Sequence, residues 1–471
     1  MMKERLIIGF LGLFIFLMVG CTSTKTSEIN ILATSDLHGV MPYELSSYIQ
    51  GEKSKHKNTI VVDAGDFIDY GTPGSNMNKY CFDRDCDDDR NHKYVEFPFA
   101  KEIKEIGYDT VVLGNHEFLF NSKAQLDDIV SDFEKQDIDI LSANTHKKNG
   151  DNYLKPYAMK KVSTTDGDVK IGILGLTVKE VGQRYETLKD GTVKPLGDGL
   201  KELDDFNGSL YMSDLVEEAK KWVPVMKKEN PDIILAVVHS GEKKKDDKLP
   251  ENRIQELAQE VDGIDAIVAG HTHKDFDQHN YKNKSGETVI VTQPGKYGEA
   301  ISKINFQLEK NNHKWNIVEK SSKVTNFEKS PEDKNFDVLF RKLVNTTLEV
   351  EKKPKDKSYK DLSLSKLTPF KWDKAYVFDT NTSPETIYKT IGYKWKDIKK
   401  AESEDMVQMI FMNNKKVVCQ LYGYEQLLWA DFNFDKSDFK NGVVTIYPNI
   451  NDKFEVTLDK VWSFMKLKHI K

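Results

Sequence analysis

Five short polar pieces, each placed where an apolar or β-branched run ends, constrain this 471-residue chain more than any other feature. They read Asp36-Leu37-His38, Gly65-Asp66, Gly114-Asn115-His116-Glu117, His239 and Gly270-His271-Thr272-His273. Together they offer four imidazoles (His38, His239, His271, His273), two carboxylates (Asp36, Asp66) and one amide oxygen (Asn115), with His116 standing beside a ligand. Such an inventory fits two divalent cations about 3.5 to 4 Å apart that polarise a phosphoryl oxygen and generate a hydroxide nucleophile near neutral pH. A shared carboxylate is needed, and Asp66 is the natural bridge. Mixed imidazole and carboxylate ligation suits borderline ions, so Mn or Zn is expected rather than Ca, which takes oxygen ligands.

Ligands this far apart converge only if the fold gathers several loop ends. The runs 29–34, 59–63, 110–113, 233–238 and 266–269 are short and rich in Val, Ile and Leu, which predicts strands buried on both faces. Amphipathic stretches between them, 97–106 and 214–228, predict helices. Alternating strands and helices predict an α/β domain whose site lies beyond the carboxyl ends of the strands. Gly65, Gly114, Gly241 and Gly270 flank the ligands, where a missing Cβ permits a sharp turn or a close approach.

At these residues the chain resembles the calcineurin-like metallophosphoesterases. The flanking text SDLHG, DAGDF, LGNHEF and AGHTH is similar to the secreted 5'-nucleotidase and 2',3'-cyclic-nucleotide phosphodiesterase branch, and the resemblance spans about residues 29 to 310, including VTQPGKYGEAISKINFQL from Val291. It implies a metallophosphoesterase core built as a two-sheet sandwich with flanking helices. It implies one metal on Asp36, His38, Asp66 and His273, a second on Asp66, Asn115, His239 and His271, and His116 as the catalytic histidine. Such a histidine stabilises transition-state charge or helps the leaving oxygen depart. The chain departs from the nucleotidase pattern at Leu119, where an aspartate partners the histidine. Either Asn121 or a residue from elsewhere orients His116, or the ring is held less well, or the preferred leaving group differs; the cyclic-phosphodiesterase relatives lack that aspartate too, which tilts the reading toward a diester. His92, His146, His279, His313 and His469 match no piece and read as surface or loop histidines.

The chain starts with Met1-Met2-Lys3-Glu4-Arg5, an uncharged apolar stretch over 6–19, then Gly20-Cys21. That reads as a lipoprotein signal peptide over 1–20, with Met18 at the usual leucine position, lipidation at Cys21 and a tether over 21–28. The protein would then be lipid-anchored outside the cytoplasmic membrane. A net charge of −6, with 31% charged residues of both signs, does not support a dedicated nucleic-acid partner. Cys81 and Cys86 form either a short-ring disulfide or two free thiols, and Cys419 reads as a small core residue. Asp83, Asp85 and Asp87 alternate like a calcium loop, but Asp88 and Tyr94 replace the glycine and glutamate such a loop requires; a solvated acidic loop near the site mouth is expected.

The boundaries expected are a metallophosphoesterase domain over 29–330, a linker helix and linker over 331–360, and a small α+β domain over 361–471. The tail predicts a strand at 375–378, a helix capped by Ser383 with Pro384 at its first position, a hairpin about Asn413-Asn414, and strands at 443–447 and 454–458. It lacks the substrate signature and aromatic base clamp of full-length nucleotidases; Trp372, Tyr376, Trp395, Tyr422, Tyr424, Trp429 and Phe432 read as core. The leading functional expectation is an extracytoplasmic dinuclear-metal phosphoesterase hydrolysing nucleotides by metal-activated hydroxide attack on phosphorus. Two other readings stand beside it: the same chemistry on nucleotide sugars or envelope phosphodiesters, and a surface binding protein with weak turnover.

Overall fold

The computed structural model describes residues 25–69, 94, 96–311, 314–352, 359–395, 398, 401, 403–459 and 464–470. The signal peptide, Cys21 and the first part of the tether lie outside these residues, as do Cys81, Cys86, the acidic loop, His92, His313 and most of the lysine-rich linker.

Two six-stranded sheets carry the first part of the chain. The first is ordered Lys314–Asn326, Ala300–Asn311, Lys25–Thr34, Thr59–Asp63, Thr110–Val112, Asp139–Leu141; its last four strands are parallel and the first two antiparallel. The second is ordered Asp275–Lys282, Thr288–Pro294, Ala266–Ala269, Ile233–His239, Gly167–Thr177, Tyr157–Thr164, with parallel pairing through the middle and antiparallel strands at both edges.

The period-2 alternation of each strand explains the layering. Ile29, Ile31, Ala33, Ile60 and Val62 of the first sheet share one core with Ile233, Leu235, Val237 and Val268 of the second. Their neighbours point outward: Leu32 and Val61 meet helices Tyr43–Lys55, Pro98–Ile106 and Lys123–Lys135, while Ile234, Ala236 and Ile267 meet helices Leu215–Lys227 and Ile254–Glu260. Helix, sheet, sheet, helix is therefore the order of layers, the α/β sandwich expected. Asp214 caps its helix, accepting the Val216 and Glu217 amides, so the 214–228 stretch starts where its sequence indicates.

The later residues build separate cores. Two four-stranded sheets are ordered Tyr359–Ser363, Lys453–Leu458, Met465–His469, Ala430–Asn433 and Lys416–Tyr424, Met406–Asn413, Lys374–Phe378, Val443–Ile446. The hairpin turns at Asn414 and Lys415, both left-handed, and Ser383 caps the helix Pro384–Ile391 as its sequence predicts. Cys419 is fully buried, and Trp372, Tyr424 and Phe432 are core residues. One expectation needs correcting. Helix Pro331–Glu351, assigned to a linker, sends Leu339 and Leu343 into this C-terminal core, because one apolar stripe recurs along its length.

Candidate metal centre

The five pieces occupy the carboxyl ends of parallel strands from both sheets: Asp36 and His38 follow Lys25–Thr34, Asp66 follows Thr59–Asp63, Asn115 follows Thr110–Val112, His239 ends its strand, and His271 and His273 follow Ala266–Ala269. All seven side chains meet there. Asp36, His38 and His273 form one group and Asp66, His239 and His271 another, with donor atoms in each group within 4.8 Å of one another.

In the first group, the Nε2 atoms of His38 and His273 stand 3.0 Å apart, and His273 Nε2 is 3.4 Å from Asp36 Oδ1. In the second, Asn115 Oδ1 faces His239 Nε2 at 3.1 Å and His271 Nδ1 at 2.9 Å, while Asp66 Oδ2 lies 3.2 Å from His239 Nε2. Asp66 Oδ1 accepts the His116 backbone N–H at 2.8 Å, which fixes the carboxylate within the second group. His239 Nδ1 donates to the Ala64 carbonyl at 2.8 Å, so Nε2 is the atom turned toward Asp66.

Two observations make this donor set fit divalent cations. Asp36 Oδ1 and His38 Nδ1 are buried with no hydrogen-bond partner among the described residues, a costly arrangement unless something else satisfies them. Moreover, Asp36, His38, Asp66, His271 and His273 all have φ between 50° and 70°, the left-handed region non-glycine residues avoid. Strain at five of seven side chains that converge on one point marks a functional constraint. Cross-loop backbone bonds hold it: Asp36 N–H to Gly65 O at 2.8 Å, His38 N–H to Asp66 O at 2.8 Å, and Tyr297 N–H to Asp36 O at 2.8 Å.

Gly65 and Gly114 are required for this contact. A Cβ on Gly65 would stand 2.5 Å from the Gly114 nitrogen, and one on Gly114 would collide with Asp66 itself. Glu117, quoted within its motif but given no role from sequence, explains how the loops stay together. Fully buried, it accepts the backbone N–H groups of Asp66 at 3.0 Å, Ile68 at 3.0 Å and Gly114 at 2.6 Å. Burial and the Asp66 charge push its carboxyl up to about 8, against the pull of those amides.

His116 sits at the rim, 23% exposed. Its partner is not Leu119, which faces solvent: Nδ1 lies 3.1 Å from the Ile68 carbonyl, and Nε2 stands 3.8 Å from Asp66 Oδ2. Asn121 instead donates Nδ2–H to the Glu117 carbonyl at 2.8 Å. Sequence reasoning also missed Asp69, 3.7 Å from His38 Nδ1, and Glu251, 3.5 Å from His271 Nε2; nothing in their local sequence marks them, since each is brought in by a loop. His146 and His469 are not surface residues. His146, buried, meets Ser213 Oγ at 2.9 Å and Glu218 at 3.1 Å through Nε2, and the half-buried His469 donates Nε2–H to the Asn451 carbonyl at 2.8 Å, so each has one ring nitrogen satisfied by a residue distant in sequence.

The calcineurin-like phosphoesterase family model matches residues 29–275, the segment that supplies every one of these ligands. The chain belongs to that family. Among curated phosphoesterases, it is similar to the trifunctional nucleotide phosphoesterase protein YfkN of Bacillus subtilis, 26% identical over 71% of this chain and 23% of that protein. It is also similar to a 2',3'-cyclic-nucleotide 2'-phosphodiesterase/3'-nucleotidase of Yersinia enterocolitica, 25% identical over 68% of this chain and 49% of that one. The chain thus spans about half, or less, of the length of these relatives. A solved structure of the calcineurin-like phosphoesterase YfkN from Bacillus subtilis superposes with a TM-score of 0.50 at 25% identity, covering 64% of this chain and 91% of that one.

The electrostatics of the metal-free centre give a pH prediction. Burial lowers His38 to about 4, leaving it neutral, and burial would do the same to His239, but the adjacent Asp66 carboxylate holds it at about 10. Below pH 10 a proton therefore occupies the His239 nitrogen that a cation needs. Metal loading at pH 7.5 is expected to release about one proton from this residue, and affinity is expected to weaken as pH falls. Calorimetry of Mn binding in two buffers of different ionisation enthalpy measures this, and identical observed heats in the two buffers, which mean no net proton release, would contradict it.

Proposed function

We propose that the chain is an extracytoplasmic phosphoesterase of nucleotides, acting on 2',3'-cyclic diesters and nucleotide monoesters. The observation that carries this reading is two adjoining ligand groups, Asp36, His38 and His273 in one and Asp66, His239 and His271 in the other, linked by the His271 N–H on Asp36 Oδ2 at 3.1 Å, with His116 at the rim. Bound through Asp36, His38, Asp66 and His273 on one side and Asp66, Asn115, His239 and His271 on the other, two divalent cations, Mn or Zn, would polarise the phosphoryl oxygen and lower the pKa of the attacking water. The chain's own contribution is position and proton handling. With Nδ1–H on the Ile68 carbonyl, the His116 ring holds Nε2 3.8 Å from Asp66 Oδ2, beside the ligand groups, where a protonated nitrogen can donate to the departing ester oxygen. The names of the relatives support nucleotides as the substrate class.

The location rests on the sequence of the first residues, and no described helix is long and apolar enough to cross a membrane. Lipidation at Cys21 would supply the anchor.

Turnover of AMP, 3'-AMP, 2',3'-cyclic AMP, a nucleotide sugar and an aryl phosphodiester, with Mn and with chelator, tests the activity. Metal-dependent turnover concentrated on the nucleotides is expected, falling about 10² to 10⁴-fold in His116→Ala. Turnover of the aryl diester alone moves the substrate elsewhere, to nucleotide sugars or envelope diesters; silence across the panel supports a binding protein. In cells, the Cys21→Ser chain is expected to leave the membrane fraction, and retention there would contradict the anchor.

A further inference from the structure

Phe120 leaves 39% of its surface exposed, and its ring stands against the imidazole of His116, with centroids 4.8 Å apart and planes at 73°. Single exposed apolar side chains are ordinary on any protein. Here, however, the neighbour is a residue of the centre: the His116 ring lies 4.6 Å from that of His38, and its Nε2 is 3.8 Å from Asp66 Oδ2. His38, 1% exposed, meets the His116 ring from within the centre, and Phe120 meets it from the surface.

The backbone holds Phe120 in this place. Its N–H donates to the His116 carbonyl at 3.1 Å, and the residues on either side are anchored inward. Phe118, fully buried, packs on Phe206 with ring centroids 6.1 Å apart, and Asn121, 2% exposed, donates to the Glu117 carbonyl at 2.8 Å. A ring whose backbone is fixed from both sides loses little freedom when another group lies on it.

The departing ester oxygen takes its proton from His116, so the group attached to that oxygen lies beside this ring. The interior approach is filled by His38, and the surface approach leads onto Phe120. An aromatic face with no donor or acceptor binds a flat ring by stacking and reads none of its edges. We propose that Phe120 is the platform on which the nucleobase of the leaving nucleoside stacks, so that it favours flat leaving groups without choosing among bases. This rests on the nucleotide reading above and says where the base goes.

Adenosine, a base and sugar without the phosphate that the metals would hold, is the probe. Calorimetric titration into the Mn-loaded chain is expected to show binding, with Kd raised about tenfold in Phe120→Ala and kept near wild type in Phe120→Tyr. The KM for 3'-AMP is expected to rise by a similar factor in Phe120→Ala, while the KM for glycerol phosphate, whose leaving group has no ring, stays where it was. Thermal melting checks folding; Phe120→Leu, which keeps bulk against His116 but removes the flat face, carries the test if Phe120→Ala melts early. A ring that only braced His116 would lower kcat for both substrates alike, and that result overturns the platform. So does a wild type that binds no adenosine. The two readings fail differently: a wild type that binds adenosine through Phe120 yet cleaves no nucleotide overturns the nucleotidase reading and keeps the platform, whereas nucleotide turnover with Kd and KM unmoved in Phe120→Ala overturns the platform alone.

Discussion

Replacing Asp66 by asparagine is expected to take the Mn content from two ions per chain to one or none and to lower kcat/KM by at least about 10³-fold. The argument isolates charge from shape. Asp66 sits at φ 56°, a conformation asparagine adopts readily, so the turn survives. Its amide oxygen can still accept the His116 backbone N–H that Asp66 Oδ1 accepts at 2.8 Å. What disappears is the negative charge that holds His239 at about 10 and the second anionic oxygen, 3.2 Å from His239 Nε2. Metal analysis of the dialysed protein beside steady-state kinetics measures both effects. Two retained ions with kinetics near wild type would remove Asp66 from the bridging position.

The second large effect is expected at Glu117, which touches no substrate. Glu117→Gln keeps the volume but turns an NH2 group against one of three backbone N–H donors gathered on the carboxylate. An orphaned buried donor costs about 1 to 3 kcal/mol, so unfolding free energy should fall by roughly 1 to 3 kcal/mol in the metal-free protein above about pH 8, where the Glu117 carboxyl is ionised, and by less below it. Because the Asp66 and Gly114 amides both hang on this side chain, Mn affinity should also fall, by about 10 to 100-fold, as for other groups that orient metal ligands. Urea denaturation of the metal-free chains and competition with a chelator read the two effects separately. A stable variant with unchanged affinity would mean that the loops hold each other through the Asp36-to-Gly65 and His38-to-Asp66 backbone bonds alone.

The α/β core was legible because its strands must be buried on both faces, and the stretches Ile60 to Val62 and Ala266–Ala269 carry no polar residue, while the two-sheet arrangement was implied by the family resemblance. The ligand pieces were legible for a related reason: aspartate, asparagine and histidine immediately after such runs have no business in a core unless they bind something. Other features depend on three-dimensional neighbours. Left-handed backbone at Asp36, His38, Asp66, His271 and His273 has no local signature, since glycine is the residue that ordinarily announces it. The Ile68 carbonyl that faces His116 is a main-chain group, invisible to any reading of side chains. Helix Pro331–Glu351 looked like a connector because its polar residues outnumber Leu339, Leu343 and the few others on its stripe, yet that stripe is enough to seat it.

The central claim is that Asp66 bridges two cations held by the loops of both sheets. Anomalous diffraction at the Mn absorption edge, on crystals of the Mn-loaded chain, tests it directly. Two peaks about 3.5 to 4 Å apart, flanking the Asp66 carboxylate, are predicted, one toward Asp36, His38 and His273 and the other toward Asn115, His239 and His271. A single peak, or two peaks that do not share Asp66, would contradict it.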